Sequence, residues 1–115
     1  MISTEKNARV GKSAERRHPR FKVEGQIEVF CSVAKMLGKV LDVSESGIAV
    51  HLANPLRVGD RVILHFTLPH SEHRFRVQAT VKCANGSRHG MEFYKLARLE
   101  SDELWRACRL LTVRV

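Results

Sequence analysis

From Val23 the chain alternates with a period of two. Ile27, Val29, Cys31 and Val33 interleave with Gln26, Glu28, Phe30 and Ser32, the pattern of a strand with one buried face. Gly38 interrupts it, and Lys39 to Val43 form a second expected strand. The polar stretch Asp42 to Gly47 turns the chain into a third, with Ile48, Val50 and Leu52 inward. Asn54-Pro55 and Val58-Gly59-Asp60 supply loop and turn residues. A fourth strand is predicted over Arg61 to Leu68, ended by Pro69, and His70 to His73 form a hairpin loop. Phe75, Val77, Ala79, Val81 and Cys83 alternate with polar partners in a fifth, and Asn85-Gly86 turns the chain toward Met91 and Phe93 in a sixth.

After Tyr94 the period changes. Ser101 is the predicted N-cap of a helix, Asp102 and Glu103 occupy its first turn, and Leu104, Cys108, Leu111 and Val115 share one face. Six short antiparallel strands followed by one helix predict an all-β domain. Its expected form is a six-stranded antiparallel β-barrel, which removes sheet edges by closure, with a basic N-terminal arm and a C-terminal α-helix packed against it.

Composition narrows the class. At 115 residues the chain builds one core and excludes a multidomain enzyme. With 43% hydrophobic and 28% charged residues it reads as globular and not disordered. No apolar run exceeds three residues, far short of the roughly 20 that span a bilayer, so the expectation is a cytoplasmic protein without membrane insertion. Cys31, Cys83 and Cys108 are odd in number and lack CxxC spacing, which predicts reduced thiols buried as small apolar groups. His65, His70 and His73 show no metal-ligand spacing and read as exposed polar residues.

The net charge of +8 points to an anionic partner. Residues 1–22 hold seven cations against two anions, a local charge of +5, which leaves +3 for the remainder. Residues 1–14 are therefore expected to be a flexible basic segment ahead of a single domain over 15–115.

Two constellations carry chemistry. Arg16-Arg17-His18-Pro19-Arg20 precedes the first strand and offers three guanidiniums that can grip phosphate, or guanine N7 and O6, bidentately. The spacing alone is unspecific, for Arg57 and Arg61 repeat it around an ordinary Gly-Asp turn. Asp42-Val43-Ser44-Glu45-Ser46-Gly47, a DxSxxG between two predicted strands, is far more specific, with ~0.01 occurrences expected from composition. Its residues also suit a plain β-turn in which Asp and Ser bond nearby amides and Gly47 supplies a positive φ.

The order RRxxR, strand, strand ending in DxSxxG, Leu56-Arg57-Val58-Gly59-Asp60-Arg61-Val62, hairpin, Gly90-Met91-Glu92-Phe93 and terminal helix resembles the PilZ family from Glu15 to Leu111. The resemblance implies a PilZ-like barrel that binds the bacterial second messenger cyclic di-GMP. Arg16, Arg17 and Arg20 match the family's arginine motif, and Asp42, Ser44 and Gly47 match the second. It also implies a non-enzymatic signalling module acting on an unidentified downstream protein effector, with no cofactor besides the nucleotide ligand. Residue chemistry agrees. Arginines serve the phosphates and the N7/O6 edge, Asp42 with Ser44 suits the N1–H and N2–H donor edge, and Gly47 lets a ligand approach the backbone. The alternative is a small basic barrel binding RNA or DNA, which would display aromatics outward for base stacking; only 6% of this chain is aromatic, mostly at inward positions.

Overall fold

A computed structural model describes residues 18–115. The basic segment 1–14, Arg16 and Arg17 lie outside the described residues. Six strands, β1 (Phe21–Cys31), β2 (Ala34–Val43), β3 (Gly47–Leu52), β4 (Arg61–Phe66), β5 (Phe75–Asn85) and β6 (Arg88–Tyr94), are followed by helix α1 (Arg98–Arg109). The strands close into an antiparallel barrel in the order β1-β2-β3-β6-β5-β4, with Ile27 to Phe30 of β1 pairing back onto Ile63 to Phe66 of β4.

The period-two alternation explains the core. Ile27, Val29, Ile48, Val50, Leu52, Leu64, Ala79 and Val81 fill the barrel and are buried. Phe66 stacks on Phe75 at 5.0 Å between ring centroids and on the half-buried Phe93 at 6.3 Å. Burial of such side chains contributes about 1.5–3 kcal/mol each before entropy is counted.

Several expectations change. Val33 is not inward but 88% exposed, because Cys31 pairs with Ala34 and leaves Ser32 and Val33 as the hairpin tip. Gly38 lies inside β2 instead of ending a strand. It pairs with Ile27 on one side and Leu52 on the other, and a Cβ there would come within 2.7 Å of the His51 carbonyl oxygen. The glycine thus permits close approach of β2 and β3. β4 stops at Phe66, although Leu68 is still buried.

The helix also starts earlier than Ser101. Ala97 is its N-cap and makes no side-chain capping bond. Glu100 in the first turn anchors the helix instead, accepting from the Arg76 amide at 3.4 Å and pairing with His73 Nε2 at 3.0 Å. Leu104, Ala107 and Cys108 carry the buried face, whereas Val115 lies beyond the helix and is exposed. The C-terminal residues instead run beside the start of β1. The Lys22 amide donates to the Val113 carbonyl at 2.6 Å, and the Val115 amide donates to the Arg20 carbonyl at 3.0 Å.

His89 holds the β3–β4 loop to the barrel. It is fully buried, and its Nε2 accepts from the Leu56 amide at 2.9 Å. An amide can only donate, so Nδ1 carries the proton and donates to the Ser87 carbonyl at 2.9 Å. A His89→Leu variant keeps apolar volume but orphans the Leu56 amide, and is expected to lose about 1–3 kcal/mol of stability in urea denaturation. Unchanged stability would show that the Leu56 bond carries no weight.

Candidate functional site

The site begins with a fault in the β2–β3 ladder. Val40 pairs with Val50 and Asp42 with Ala49, so Leu41 is an extra residue in β2. Without this bulge, alternation from the inward Val40 would point Asp42 into the core. With it, Val43 takes the inward phase opposite Ile48 and Asp42 comes to the outer face.

Outside the barrel, Asp42 is nevertheless buried, its side chain only 3% exposed. A carboxylate removed from water costs several kcal/mol unless it is paired. Two arginines pair it. Arg20, at the entry to β1, donates from Nε to Oδ1 at 2.7 Å and brings Nη2 to the same oxygen. Arg88, at the start of β6, donates from Nη2 to Oδ2 at 3.2 Å. Arg20 is thus no free arm residue; its side chain is 18% exposed.

The turn that follows is built by Ser44. Its amide donates to the Gly47 carbonyl at 2.9 Å, while its Oγ accepts from the amides of Ser46 and Gly47, both at 3.1 Å. The hydroxyl is buried and engaged within the turn. Gly47 does not have a positive φ; that property belongs to Gly59 and Gly86 among the described glycines. A Cβ at Gly47 would instead lie 2.5 Å from the Met91 carbonyl oxygen. Glycine here lets β3 pack against β6, a clash with backbone that no rotamer change relieves.

Register places the remaining parts. Asp42, Ala49, Gly90 and Cys83 form one row across β2, β3, β6 and β5. A second bulge between Val81 and Cys83 moves Cys83 to the outer face, so the expectation of a core thiol there is overturned and Cys83 is exposed. Small residues leave the middle of this row low. The resulting groove, about 330 Å³, is lined by Arg20, Ser46, Gly47, Lys82, Arg88 and Glu92 together with Ala49, Gly90 and Cys83 of the row, while Asp42 lies covered beside it. Two larger depressions, about 680 and 510 Å³, lie over β1, β4 and β5 and contain none of the motif residues.

Of the residues singled out from sequence, the structure brings Arg20, Asp42, Ser44 and Gly47 together on one face. Arg88 went unrecognised as a member of this face. No short motif contains it, and only the β3–β6 and β5–β6 registers bring it here. Arg57 and Arg61 stand apart. The Arg57 amide bonds Asp60 in its turn, and Arg61 lies 3.9 Å over the Tyr94 ring.

Beneath the turn, Cys108 of α1 is buried and its thiol is pushed up to about 11, first by burial and then by the Glu45 carboxylate. Glu45 also faces His18 at 3.8 Å. Among the described residues no cluster of His, Cys, Asp and Glu has metal-binding geometry, and no helix is long and apolar enough to cross a membrane.

Comparison with known proteins follows this geometry. The family model for the PilZ domain matches residues 14–110. The Bacillus subtilis inhibitor of motility, MotI/DgrA, superposes with a TM-score of 0.70 at 21% identity; the match covers 95% of this chain and 56% of that one. The PilZ domain of CeSA from a cellulose-synthesizing bacterium gives a TM-score of 0.66 at 18% identity, covering 79% and 96% of the two chains. The PilZ domain of Escherichia coli YcgR, in a structure with c-di-GMP, gives 0.67 at 16% identity, covering 83% and 90%. No curated protein sequence matches the chain. These likenesses establish a shared fold.

The cysteines give a direct check on this geometry. At pH 8 iodoacetamide is expected to modify the exposed Cys83 well before Cys108, with peptide mass mapping as the readout. The native Cys108 thiol holds its proton more tightly than the unfolded one. Its contribution to stability is therefore intact below pH 9.0 and lost as pH rises toward about 11. Equal labelling of both cysteines in the folded protein would contradict the buried placement of Cys108.

Proposed function

The chain belongs to the PilZ domain family, and from that membership we propose that it is a receptor for cyclic di-GMP: a non-enzymatic, cytoplasmic bacterial module whose contacts with a downstream protein change on binding the nucleotide. One observation carries this reading. Arg20 of the arginine motif and Asp42 of the DxSxxG meet in a single ion pair on the outer face. Two motifs 22 positions apart thereby become one polar surface.

The chemistry assigns roles. Arg16, Arg17 and Arg20 bind the phosphates and the N7/O6 edge of guanine, where a planar guanidinium matches two acceptors. Asp42 is an acceptor-only group suited to the N1–H and N2–H edge. Ser44 acts through the turn, since its Oγ is taken up by the Ser46 and Gly47 amides. Gly47 keeps β3 and β6 close enough for Arg88 and Asp42 to share the face.

Nucleic acid is the poorer fit. Among the described residues no aromatic side chain lines the groove. Phe66 and Phe75 are core, while Tyr94 and Trp105 each carry an arginine over the ring, Arg61 at 3.9 Å and Arg109 at 4.4 Å. A stacking surface for single strands requires outward, unoccupied ring faces.

Calorimetric titration tests the proposal. Cyclic di-GMP is expected to bind, and Arg20→Ala to weaken it by about 1–3 kcal/mol. Cyclic di-AMP should bind more weakly by at least about 2–3 kcal/mol, because adenine sets its N1 lone pair against the Asp42 carboxylate. Asp42→Ala should narrow that gap. Absence of cyclic di-GMP binding would refute the receptor assignment, and an unchanged gap in Asp42→Ala would refute base reading by the carboxylate.

A further inference from the structure

We propose that Arg88, outside both motifs, is a further arginine of the cyclic dinucleotide site and reaches the ligand by exchanging its place on Asp42. The proposal rests on the receptor reading and adds a residue and a mechanism to it.

The acceptor count on Asp42 leads there. Oδ1 faces two nitrogens of Arg20, and Oδ2 faces one of Arg88. A guanine edge offers N1–H and N2–H side by side and needs two acceptor sites, whereas the arginines already take three of the roughly four lone pairs of the carboxylate. One guanidinium contact must yield. Arg20 is held by two contacts, is 18% exposed, and has its carbonyl bonded to the Val115 amide. Arg88 is held to Asp42 by a single bond of 3.2 Å and is 54% exposed. Arg88 is the weaker and wetter of the two, so Arg88 moves.

The strand register gives its path. Arg88 pairs with His51 on β3, and Asp42 pairs with Ala49 from the other side of β3. The Arg88 side chain therefore crosses β3 diagonally to reach Asp42, from the His51 pair to the Ala49 pair. Ala49 is outward in phase yet only 2% exposed, a floor already covered. On release from Oδ2 the guanidinium stays over the groove that Arg88 itself lines. There its fork meets a phosphate, or the N7/O6 edge of a base whose other edge Asp42 holds. Arg88 stands in for the guanine donors on Oδ2 and then becomes a ligand contact.

Titrations of the wild-type chain, Arg88→Ala and Arg88→Lys with cyclic di-GMP at several salt concentrations decide it. Arg88→Ala is expected to bind about 10–100-fold more weakly and with a shallower salt dependence, as one cation fewer meets the nucleotide. Arg88→Lys keeps a cation beside Asp42 and should restore the salt dependence while recovering only part of the affinity, since an ammonium lacks the planar fork. Matching melting temperatures establish that the variants are folded, and the lysine variant serves if the alanine variant is not. Equal or tighter binding by Arg88→Ala would overturn the proposal, reducing Arg88 to a lid on Asp42. Full affinity in Arg88→Lys would overturn the bidentate contact. No binding by the wild-type chain would instead overturn the receptor reading, and the proposal with it.

Discussion

Six strands cannot close into a barrel without bending, and a β-bulge is where a strand bends. In this chain the extra residue Leu41 does more than bend β2. It reverses the inside–outside phase between Val40 and Asp42, putting a carboxylate on the outer face where an apolar interior could not have tolerated it. A second bulge, at Val81 to Cys83, reverses the phase at the far end of the same row. The candidate binding face is the stretch of sheet between these two slips. Its middle, Ala49 and Gly90, is low because neither carries a side chain larger than a methyl group, and the Cys83 sulfur takes the space a Cβ on Gly90 would fill.

Once Asp42 is outside but covered, its neighbours are constrained. A carboxylate that is 3% exposed demands donors, and Arg20 supplies them from the entry to β1 and Arg88 from the start of β6. Ser44 and Gly47 answer a different requirement. Ser44 satisfies the amides of a tight turn, and Gly47 removes the Cβ that would meet the Met91 carbonyl. The DxSxxG pattern therefore joins one residue with exterior chemistry to two that fix the backbone carrying it. The turn also lies near α1, where burial first and the Glu45 carboxylate second push the Cys108 thiol up, and the residues after that helix bond the backbone of Arg20 and Lys22. Arm entry, motif turn and helix are therefore neighbours.

The alternation of apolar residues made the six strands and their core legible, because period two is a local property that tertiary context seldom reverses. A bulge is not local. It depends on what the partner strand offers, so Cys83 read as core and Asp42 gave no sign of why it faces outward. Gly38 read as a breaker for a related reason: its cause is the Leu52 side chain and His51 carbonyl of a neighbouring strand. Ser101 looked like a cap by type, but Glu100 ties the first turn to β5 and the cap lies four residues earlier, at Ala97. In the site, the motif residues stood out by spacing. Arg88 could not, since its claim rests on a register across three strands.

The charges on this face set attraction against selectivity. Arg20, Lys82 and Arg88 create a field that draws any polyanion, and that attraction falls with salt and discriminates little. If affinity for phosphate were the only requirement, Asp42 would be a liability, since it neutralises the very guanidiniums that do the attracting. Its cost is offset only by a ligand that brings donors along with its negative charge. Guanine N1–H and N2–H beside a phosphodiester meet that condition, whereas a bare phosphate chain leaves the carboxylate opposed to further negative charge. A buried acid beside a basic groove thus lowers affinity for anions in general more than for one kind, and specificity is that difference. The bulge at Leu41, by deciding which way Asp42 points, decides whether the basic face is a general anion trap or a selective one.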